Sequence, residues 1–290
     1  MADYSATLRI LVNDWVDGGP FLAEHGLAYW LDISAGDRQY HLLFDTGQSG
    51  TALVHNAAGL RVDWASLDAV ALSHGHVDHS GGLGEALRLC GRRVPVILHP
   101  EALCPKLKTS PSLRSVGLPL GRERLKEAAC LLATHEPLTL IPGIQTSGEI
   151  PRKTNCERVQ EFQTLRHGRV EPDEMLDDQA LFIHLPDAGL VIVTGCAHAG
   201  IINTIQHGLA LTGATRLSAV VGGFHLQDAS PEQVTQTLTQ LQAFAPRLLV
   251  PLHCTGGPAM GELTRVFGAR VQRATVGTEL RFQSGHPTAP

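Results

Sequence analysis

Three histidines and one aspartate stand within six residues of one another, in the run Ser73-His74-Gly75-His76-Val77-Asp78-His79. Neutral imidazole nitrogens and carboxylate oxygens are ligands that suit zinc and its neighbours among the transition metals. The run directly follows an apolar stretch, and the glycine at position 75 lets the backbone turn so that His74 and His76 converge. These side chains therefore predict a metal site at the end of a strand.

Further ligands must come from other parts of the chain, because one short run cannot enclose a metal ion. The later histidines His198, His225 and His253 each come just after an apolar stretch. Open α/β sheets bind their ligands at the carboxyl ends of strands. We therefore expect these three histidines to lie beside the first run.

Other catalytic motifs are incomplete. His135-Glu136 lacks the second histidine of an HExxH zinc motif, and the run Gly47-Gln48-Ser49-Gly50 continues with Thr51 where a nucleophile elbow needs glycine. Neither a GxxxxGK loop nor a GxGxxG loop is present, so nucleotide cradles of those types are not supported. A bound metal is the catalytic device that the motifs indicate.

The elements that position these residues are predicted to be short strands alternating with helices. The predicted strands are rich in branched side chains and bounded by turn residues: Leu8–Val12, Tyr40–Phe44, Ala69–Leu72, Val94–His99, Ala180–Leu185, Leu190–Val193, Leu217–Val221 and Leu248–Leu252. Predicted helices lie at Glu123–Ala133, at Gly200–Leu211 and between an N-cap at Ser230 and a stop at Pro246. This alternation is typical of the α/β class.

The two halves of the chain resemble each other. An apolar run ends at Gly47 in one half and at Gly195 in the other, and in each half a second apolar run leads to a histidine, His74 or His225. A face-to-face duplication would bring both sets of strand ends to one edge. Between residues 104 and 153 the pattern weakens and prolines are frequent. We therefore predict one domain over residues 1–290 with an irregular insertion around 104–153.

The composition excludes several classes of protein. The chain has 290 residues, a net charge of −5 and 43% hydrophobic residues, which excludes a disordered chain. Its apolar runs are shorter than the roughly 20 residues of a membrane span, and Met1–Asp14 lacks the features of a signal peptide. Six scattered cysteines are typical of reduced thiols in a cytoplasmic protein, and nucleic acid is not indicated as a partner. A homo-oligomer is left open.

The run from His74 to His79, the upstream Phe44-Asp45-Thr46-Gly47 and the later strand-terminal histidines together resemble the metallo-β-lactamase superfamily. The resemblance implies an αββα four-layer sandwich, in which two mixed β-sheets are flanked by helices and a metal site lies at one edge. Carried over by residue, it implies that one divalent ion is bound by His74, His76 and His198. A second ion would be bound by Asp78, His79 and His253.

One position departs from that family pattern. The resemblance implies a bridging aspartate where this chain has Gly223-Phe224-His225. A neutral imidazole has one free lone pair and cannot bridge two ions as a carboxylate does. His225 is therefore expected to bind a single metal ion or a substrate oxygen, and either one or two metal ions remain compatible with the sequence.

A narrower resemblance rests on several segments taken together. Those segments include Glu24-His25-Gly26, Ser147-Gly148-Glu149-Ile150-Pro151-Arg152, Asp177-Asp178-Gln179, Gly195-Cys196-Ala197-His198 and Pro251-Leu252-His253-Cys254. They resemble the branch of the dihydropterin ribofuranosylaminobenzene phosphate synthases. The resemblance implies a phosphorylated small-molecule substrate.

Other candidate residues have two interpretations each. Asp45 either hydrogen-bonds a ligand histidine or is a plain turn aspartate. Glu24 and His25 line the site or cap a turn. Glu149 and Arg152 bind a substrate phosphate or belong to a solvated loop. The thiols at positions 196 and 254 are interpreted as small buried side chains rather than ligands.

The leading hypothesis is a metal-dependent enzyme that acts on a phosphate-bearing or ester-like small molecule, with zinc as the first choice of ion and manganese or iron as alternatives. As a hydrolase (a phosphodiesterase or lactonase), it would use Asp78 to orient the nucleophile, and either the second metal ion or His225 to stabilise charge on the leaving oxygen. As a synthase, it would hold a departing diphosphate while an aryl amine attacks a pterin methylene. A non-catalytic metal- or ligand-binding sensor is the hypothesis from another class.

Overall fold

The computed structural model describes residues 4–154, 157 and 161–284. In this part of the chain the strands are β1 (Tyr4–Val12), β2 (Ala28–Ala35), β3 (Arg38–Phe44), β4 (Ala69–Ala71), β5 (Pro95–Leu98), β6 (Lys106–Lys108), β7 (Arg114–Ser115), β8 (Cys130–Ala133), β9 (Thr139–Ile141), β10 (Ile144–Thr146), β11 (Gln163–Arg166), β12 (Arg169–Pro172), β13 (Ala180–Leu185), β14 (Gly189–Thr194), β15 (Leu217–Gly223), β16 (Leu248–Leu252) and β17 (Glu279–Gln283). The helices are α1 (Gly50–Gly59), α2 (Val77–Ser80), α3 (Leu83–Cys90), α4 (Arg122–Ala128), α5 (Ile201–Thr212), α6 (Pro231–Phe244) and α7 (Gly257–Phe267).

The first large sheet is mixed and has seven strands in the order β17-β1-β2-β3-β4-β5-β8. Strand β1 pairs antiparallel with both β17 and β2, and β2 pairs antiparallel with β3. From β3 onward, β4, β5 and β8 follow in parallel. The carboxyl ends of these parallel strands therefore share one edge of the sheet.

The second large sheet repeats this succession of pairings in six strands, in the order β16-β15-β14-β13-β10-β9. Strand β13 pairs antiparallel with β14, as β2 does with β3. Strands β14, β15 and β16 are parallel, as are β3, β4 and β5. The likeness between the two halves of the sequence thus reappears as a likeness of sheet topology.

The two large sheets pack face to face around a central apolar core, and helices cover their outer faces. The central core joins residues from both sheets, such as Leu8, Leu31, Leu181 and Val221. Two outer clusters lie beneath the helices: α1 and α3 contribute Leu53 and Leu87 on one side, and α5, α6 and α7 contribute Ile205, Leu241 and Leu263 on the other. The αββα sandwich with two mixed sheets is therefore confirmed.

The stretch 104–153, which we expected to be irregular, contains the strands β6 to β10 and helix α4. Strand β8 extends the first large sheet, and β9 and β10 extend the second. Strands β6 and β7 join β11 and β12 in a small antiparallel sheet of the order β12-β11-β6-β7. The assignment of residues 1–290 to a single domain stays a prediction.

The prediction of one helix over Glu123–Ala133 is wrong in its second half. Helix α4 ends at Ala128, and Cys130–Ala133 form β8, which pairs with β5. Four residues are too few to show a strand period, and the backbone hydrogen bonds to β5 override the local helical spacing.

Helix α6 begins where the sequence predicts it. The Ser230 hydroxyl accepts a hydrogen bond from the backbone N–H of Gln233 at 3.2 Å, and the helix ends at Phe244, just before Pro246. Among the described residues, no helix is long and apolar enough to cross a membrane.

Candidate metal centre

The carboxyl ends of strands from both large sheets meet at one edge of the sandwich and carry the predicted ligands. From the first sheet, β3 leads to Asp45, and β4 leads to His74 and then to the short helix α2, which carries Asp78 and His79. From the second sheet, β14 leads to Cys196 and His198, β15 to His225 and β16 to His253. Sheet packing therefore brings together residues that are far apart in the chain.

His74, His76 and His198 form the first donor set, in which one ring nitrogen of each lies within 4.8 Å of the others. His74 Nε2 is 3.0 Å from His76 Nδ1, and the ring centroids of His74 and His198 are 4.7 Å apart. Burial holds the pKa values of His74 and His198 well below the ordinary value and lowers the pKa of His76 to about 4. The three rings are therefore neutral at neutral pH, as metal binding requires.

Asp78, His79, Cys196 and His253 form the second donor set, and their ligand atoms also lie within 4.8 Å of one another. His79 Nε2 is 3.2 Å from Cys196 Sγ, and His253 Nε2 is 3.3 Å from Asp78 Oδ2. This set holds the three residues implied for a second ion, together with the Cys196 thiol, which the sequence interpretation took as a small buried side chain rather than a ligand.

The second donor set carries charge, in contrast to the first. Burial opposes the ionised form of Asp78, but His79 and His253 hold the pKa of its carboxyl well below the usual range. Burial also opposes the charged rings, but Asp78 and Asp45 raise the pKa of His79, and Asp14 and Asp78 raise the pKa of His253 well above its ordinary value. A metal ion binding here must displace protons from the two rings.

Asp45 is a buried hydrogen-bond partner of this cluster. Its Oδ2 atom lies 2.7 Å from His79 Nδ1 and accepts a hydrogen bond from the Ser73 hydroxyl at 2.7 Å, while Oδ1 accepts one from the Ser73 backbone N–H. The Ser73 hydroxyl also lies 2.9 Å from His74 Nδ1. Asp45 thus orients the ring of His79 so that Nε2 faces the donor set.

Asp14 serves the same purpose for His253. It follows β1, and its Oδ1 atom lies 2.6 Å from His253 Nδ1, while Oδ2 lies 3.1 Å from His25 Nδ1. The opposite nitrogen of His25 is 3.5 Å from Asp78 Oδ2. Asp14 therefore connects the exposed His25 to the buried ligands.

A buried cluster of one lysine and two aspartates stabilises the loop that carries His74 and His76. Lys106 Nζ is 2.6 Å from Asp177 Oδ1 and 2.9 Å from Asp173 Oδ2. Asp177 Oδ2 in turn accepts a hydrogen bond from the Gly75 backbone N–H at 2.7 Å. A Cβ at Gly75 would stand 2.5 Å from the Ala102 carbonyl oxygen, so only glycine fits this turn.

Asp178 holds the loop that carries His198. Its Oδ2 atom accepts a hydrogen bond from the backbone N–H of Ala199 at 2.9 Å. Burial raises the pKa of this carboxyl to about 7. Asp177 and Asp178 thus each fix one of the two loops of the first donor set.

His225 lies beside the first donor set rather than within it. Its ring centroid is 4.3 Å from that of His198, and its ligand nitrogen groups with the thiols of Cys196 and Cys254 within 4.8 Å. His225 Nε2 is 3.8 Å from Glu161 Oε1, and its side chain is one-quarter exposed, at 25%. The ring is thus placed to meet a molecule above the donor sets.

Several residues at this edge adopt left-handed backbone conformations. Among the described residues, Asp45, Ala197, His225 and His253 have φ values of 57°, 58°, 49° and 46°. Such conformations are costly for residues other than glycine and are frequent at functional sites. At this edge, these left-handed residues turn the backbone sharply after the end of a strand.

A cavity of about 780 Å³ opens above the donor sets. Its lining includes members of both sets (His76, Asp78, Cys196, His198 and His253), together with His25 and His225. The small sheet forms one wall of the cavity. It contributes Lys108 of β6, Arg114 of β7 and Phe162, which directly precedes β11. The Phe162 ring lies 4.2 Å from the His76 ring, between centroids, with Lys108 Nζ 4.8 Å from its centroid.

The two cations of this wall differ in their surroundings. Lys108 Nζ pairs with Glu161 Oε2 at 3.1 Å. Arg114 Nη1 donates to the backbone carbonyls of Ser110 and Ser112, and its side chain is exposed. Arg114 therefore presents a guanidinium to the cavity that suits an anionic oxygen.

The residues predicted to bind substrate occupy different places. His25 lines the cavity, whereas Glu24, Glu149 and Arg152 are not among its lining residues. Glu24 accepts hydrogen bonds from the backbone N–H groups of Gln48 and Ser49, so it fixes the start of α1. Arg152 Nη2 donates to the Met175 carbonyl at 2.6 Å, and the Glu149 carboxylate lies near two other histidines.

Sequence reasoning missed several residues that contribute to the site: Asp14, Lys106, Phe162 and the ligand position of Cys196. Asp14 follows an apolar strand, as the predicted histidines do, and that signal could have found it. Cys196 likewise follows β14 directly. Nothing local marks Lys106 or Phe162, because their roles arise from contacts across the fold.

The donor sets pass a direct test of whether a metal ion fits them. Among the described residues, His76 Nε2, His253 Nε2 and both ring nitrogens of His198 are buried and have no hydrogen-bond partner. Buried polar atoms in native proteins are nearly always paired. Unpartnered imidazole nitrogens that converge with carboxylate and thiol groups have the chemistry of zinc ligands.

Comparison with known families agrees with this geometry. The model of the metallo-beta-lactamase superfamily matches residues 23–199, a range that includes the run from His74 to His79 and His198. The chain belongs to the metallo-β-lactamase superfamily. The family resemblance drawn from the sequence is therefore confirmed.

Relatives narrow the placement within this superfamily. The chain is 30% identical over 270 residues to 7,8-dihydropterin-6-methyl-4-(beta-D-ribofuranosyl)-aminobenzene-5'-phosphate synthase of Methanocaldococcus jannaschii, covering 91% of this chain and 92% of that protein. The chain therefore falls in the branch of this synthase, as its sequence motifs indicate.

Solved structures show the same fold. The crystal structure of Tm1679, called a metal-dependent hydrolase of the β-lactamase superfamily, superposes with a TM-score of 0.79 at 28% identity, covering 95% of this chain and 98% of that one. The metallo-β-lactamase fold protein YhfI from Bacillus subtilis superposes with a TM-score of 0.58 at 15% identity, covering 96% and 99%.

Proposed function

We propose that this chain is a metal-dependent enzyme that acts on a phosphate-bearing small molecule in the cavity above the two donor sets. The observation that carries the proposal is the convergence of buried ring nitrogens without hydrogen-bond partners, at His76, His198 and His253, on a cavity of about 780 Å³. Their neighbour Asp78 supplies a carboxylate to the same cavity.

The proposal assigns two divalent ions, with zinc as the first choice and manganese or iron as alternatives. His74, His76 and His198 would hold one ion, and Asp78, His79 and His253 the other, with the Cys196 thiol within reach of the second. When bound, the ions would supply positive charge that stabilises developing negative charge and lowers the pKa of bound water toward neutrality.

The chain's own residues orient the reactants. The Asp78 carboxylate stays ionised because His79 and His253 lower its pKa, so it accepts a hydrogen bond from the attacking nucleophile and directs it. His225, which also lines the cavity, would meet a substrate oxygen. Arg114 would bind the phosphate group through charge-assisted hydrogen bonds, and Phe162 contributes an apolar patch to the cavity wall.

We propose the synthase reaction of the similar Methanocaldococcus jannaschii enzyme as the activity. In the reaction that the sequence resemblance implies, an aryl amine would attack a pterin methylene carbon and form a carbon–nitrogen bond, with loss of one amine proton, while diphosphate leaves from the same carbon. The support is the 30% identity over 91% of this chain. Hydrolysis of a phosphodiester or lactone is the second candidate, because Tm1679, which is 28% identical, is called a metal-dependent hydrolase.

The experiment that separates these candidates supplies the metal-loaded protein with ribofuranosylaminobenzene phosphate and a dihydropterin methyl diphosphate. We expect the coupled product and free diphosphate in equal amounts, measured by mass spectrometry and a diphosphate assay. Cleavage of the diphosphate without coupling, or turnover only of phosphodiesters or lactones, would establish the hydrolase instead. Binding of these compounds with no turnover of any kind would establish a sensor.

Two variants tie the activity to the site. His76→Ala should abolish turnover while the protein stays folded, because it removes a ligand of the first ion. Arg114→Ala should raise KM about tenfold with little change in kcat, as expected for the loss of one charge-assisted hydrogen bond. Arg169→Ala, on the same small sheet but outside the cavity lining, is the control and should leave both parameters unchanged. A cytoplasmic location stays a prediction.

A further inference from the structure

A second group of metal-ligating side chains lies outside the cavity, at His99, His135 and Glu149. His99 comes directly after β5, His135 comes two residues after the end of β8, and Glu149 comes three residues after the end of β10. His99 Nε2 is 2.9 Å from His135 Nδ1, and Glu149 Oε2 is 3.6 Å from the former atom and 3.9 Å from the latter. None of the three lines the cavity or belongs to either central donor set.

The backbone holds the loops of this group in place. The N–H of Glu149 donates to the carbonyl of His135 at 2.8 Å, so the two loops are joined directly beneath their side chains. Gly148 between them has a φ of +60°, and a Cβ there would stand 2.6 Å from the same carbonyl oxygen. This close approach sets the spacing of the two exposed donors.

His99 is the buried anchor of the group. Its ring is fully buried, and its Nδ1 atom accepts a hydrogen bond from the Glu101 backbone N–H at 3.2 Å, which directs Nε2 toward His135 and Glu149. A metal ion at Nε2 requires the ring proton to lie on Nδ1, so the hydrogen bond from the Glu101 N–H is lost when the ion binds. One long hydrogen bond is exchanged for a metal–nitrogen bond.

We propose that His99, His135 and Glu149 form a separate zinc site. Two imidazoles and one carboxylate are a known zinc ligand set, which leaves a fourth position for water. The exposure of His135 (59%) and Glu149 (45%) gives the ion a path from solvent. Because β5 and β8 belong to the first large sheet and β10 to the second, a bound ion ties the two sheets together at this edge.

The test counts zinc per chain after equilibrium dialysis against a buffered zinc solution, with zinc as the only added metal. His135→Ala and Glu149→Gln should each lower the zinc content by one equivalent relative to the unaltered protein. His167→Ala removes an exposed histidine in the turn between β11 and β12 and should leave the zinc content unchanged. Circular dichroism spectra of all variants should coincide.

Two further results make the assignment decisive. Anomalous scattering at the zinc edge should place a peak between His135 and Glu149, and that peak should vanish in His135→Ala. His76→Ala should lose zinc from the central cavity and keep this peak, so the outcome does not depend on the proposed enzymatic activity. Equal zinc contents in the unaltered protein, His135→Ala and Glu149→Gln, with no peak at this position, would overturn the proposal.

Discussion

At the scale of single residues, the two donor sets differ in the protonation state that burial and charge impose on them. The rings of the first set are neutral because they are buried beside other imidazoles, with the pKa of His76 lowered to about 4. The rings of His79 and His253 have raised pKa values because carboxylates surround them. The two sets therefore respond differently to pH.

The pH dependence of metal binding follows from this contrast. In the second set, protons compete with the metal at pH values up to the raised pKa values of His79 and His253, which lie above about 6.5. Affinity at that set should fall steadily as the pH falls through this range. The affinity of the first set should change little until the pH approaches the low pKa values of its rings.

Zinc titrations by calorimetry in buffers of different ionisation enthalpy will measure this effect. The titrations use His135→Ala, so that zinc binds only the two central donor sets. We expect proton release at pH 7 when the second set is filled, and a smaller release when His253→Ala is added. His184→Ala, a histidine outside both sets, serves as the control. Binding of both ions without proton release would contradict the assignment of charged rings.

The hydrogen bond that the His79 ring donates to the Asp45 carboxylate gives a second prediction at this scale. Asp45→Asn removes the charge that orients the ring, and the loss of such a partner typically lowers metal affinity about 10- to 100-fold. The affinity is measured by competition with a chelator. Asp32→Asn is the matched control, since Asp32 Oδ1 makes a similar bond of 2.8 Å to His41 Nδ1 outside the site. Equal effects of both variants would show that the Asp45 bond is structural only.

At the scale of elements, the metal ligands depend on loops that other elements hold in place. The turn at Gly75 is fixed by Asp177, which follows the small sheet, and Asp177 is neutralised by Lys106 of β6. Lys106 is almost fully buried, with 1% of its side chain exposed. Burial opposes its charge, but Asp177 and Asp173 raise its pKa, so the pair is ionised.

Lys106→Met therefore leaves two buried carboxylates without their cation. We expect the free energy of unfolding to fall by about 3–5 kcal/mol, the typical cost of breaking a buried ion pair, as measured by urea denaturation. Lys126→Met is the control, because Lys126 pairs with Glu123 on the exposed face of α4 and such pairs contribute little. A similar small effect for both variants would contradict the role of Lys106.

The elements also show where sequence reasoning succeeds and fails. The central strands and the start of α6 were predicted because long apolar runs and an N-cap serine are local signals. Strand β8 was predicted as helix because four residues carry no clear period. The small sheet was missed for the same reason: each of its strands is short, and its pairings join residues far apart in the chain.

At the scale of the whole molecule, the central donor sets join the two large sheets. His74 and His76 follow a strand of the first sheet, whereas His198 and His253 follow strands of the second. A ligand that binds only the folded chain stabilises it by about 2.7 kcal/mol at a concentration 100 times its dissociation constant. Bound metal should therefore raise the thermal unfolding temperature, and chelation should lower it.

This prediction is checked by thermal unfolding with and without zinc. A stabilisation of that size corresponds to a rise of roughly 5–10 °C for a chain of this length. His198→Ala should show a smaller rise, because it removes the second sheet's ligand from the first donor set, while His167→Ala should retain the full rise. An undiminished rise in His198→Ala would contradict the assignment of this ligand.

The family and the candidate histidines could be recognised from the sequence, and the resemblance to that family then implied the αββα fold. The family and the histidines are recognisable from short stretches of sequence: the spacing of the run from His74 to His79, and histidines that follow apolar strands. Strand ends are recognisable in a sequence because they are where buried backbone meets solvent, and parallel strands place them at one edge.

Only the tertiary structure decided which groups surround those histidines. His253 and Asp14 lie 239 positions apart in the chain but 2.6 Å apart in the fold, and the partner of Asp177 lies 71 positions away. No local pattern encodes such contacts, because they depend on how two sheets pack and on which loops meet at their edge. The same packing brings the Cys196 thiol to the second donor set and joins His99, His135 and Glu149 outside it.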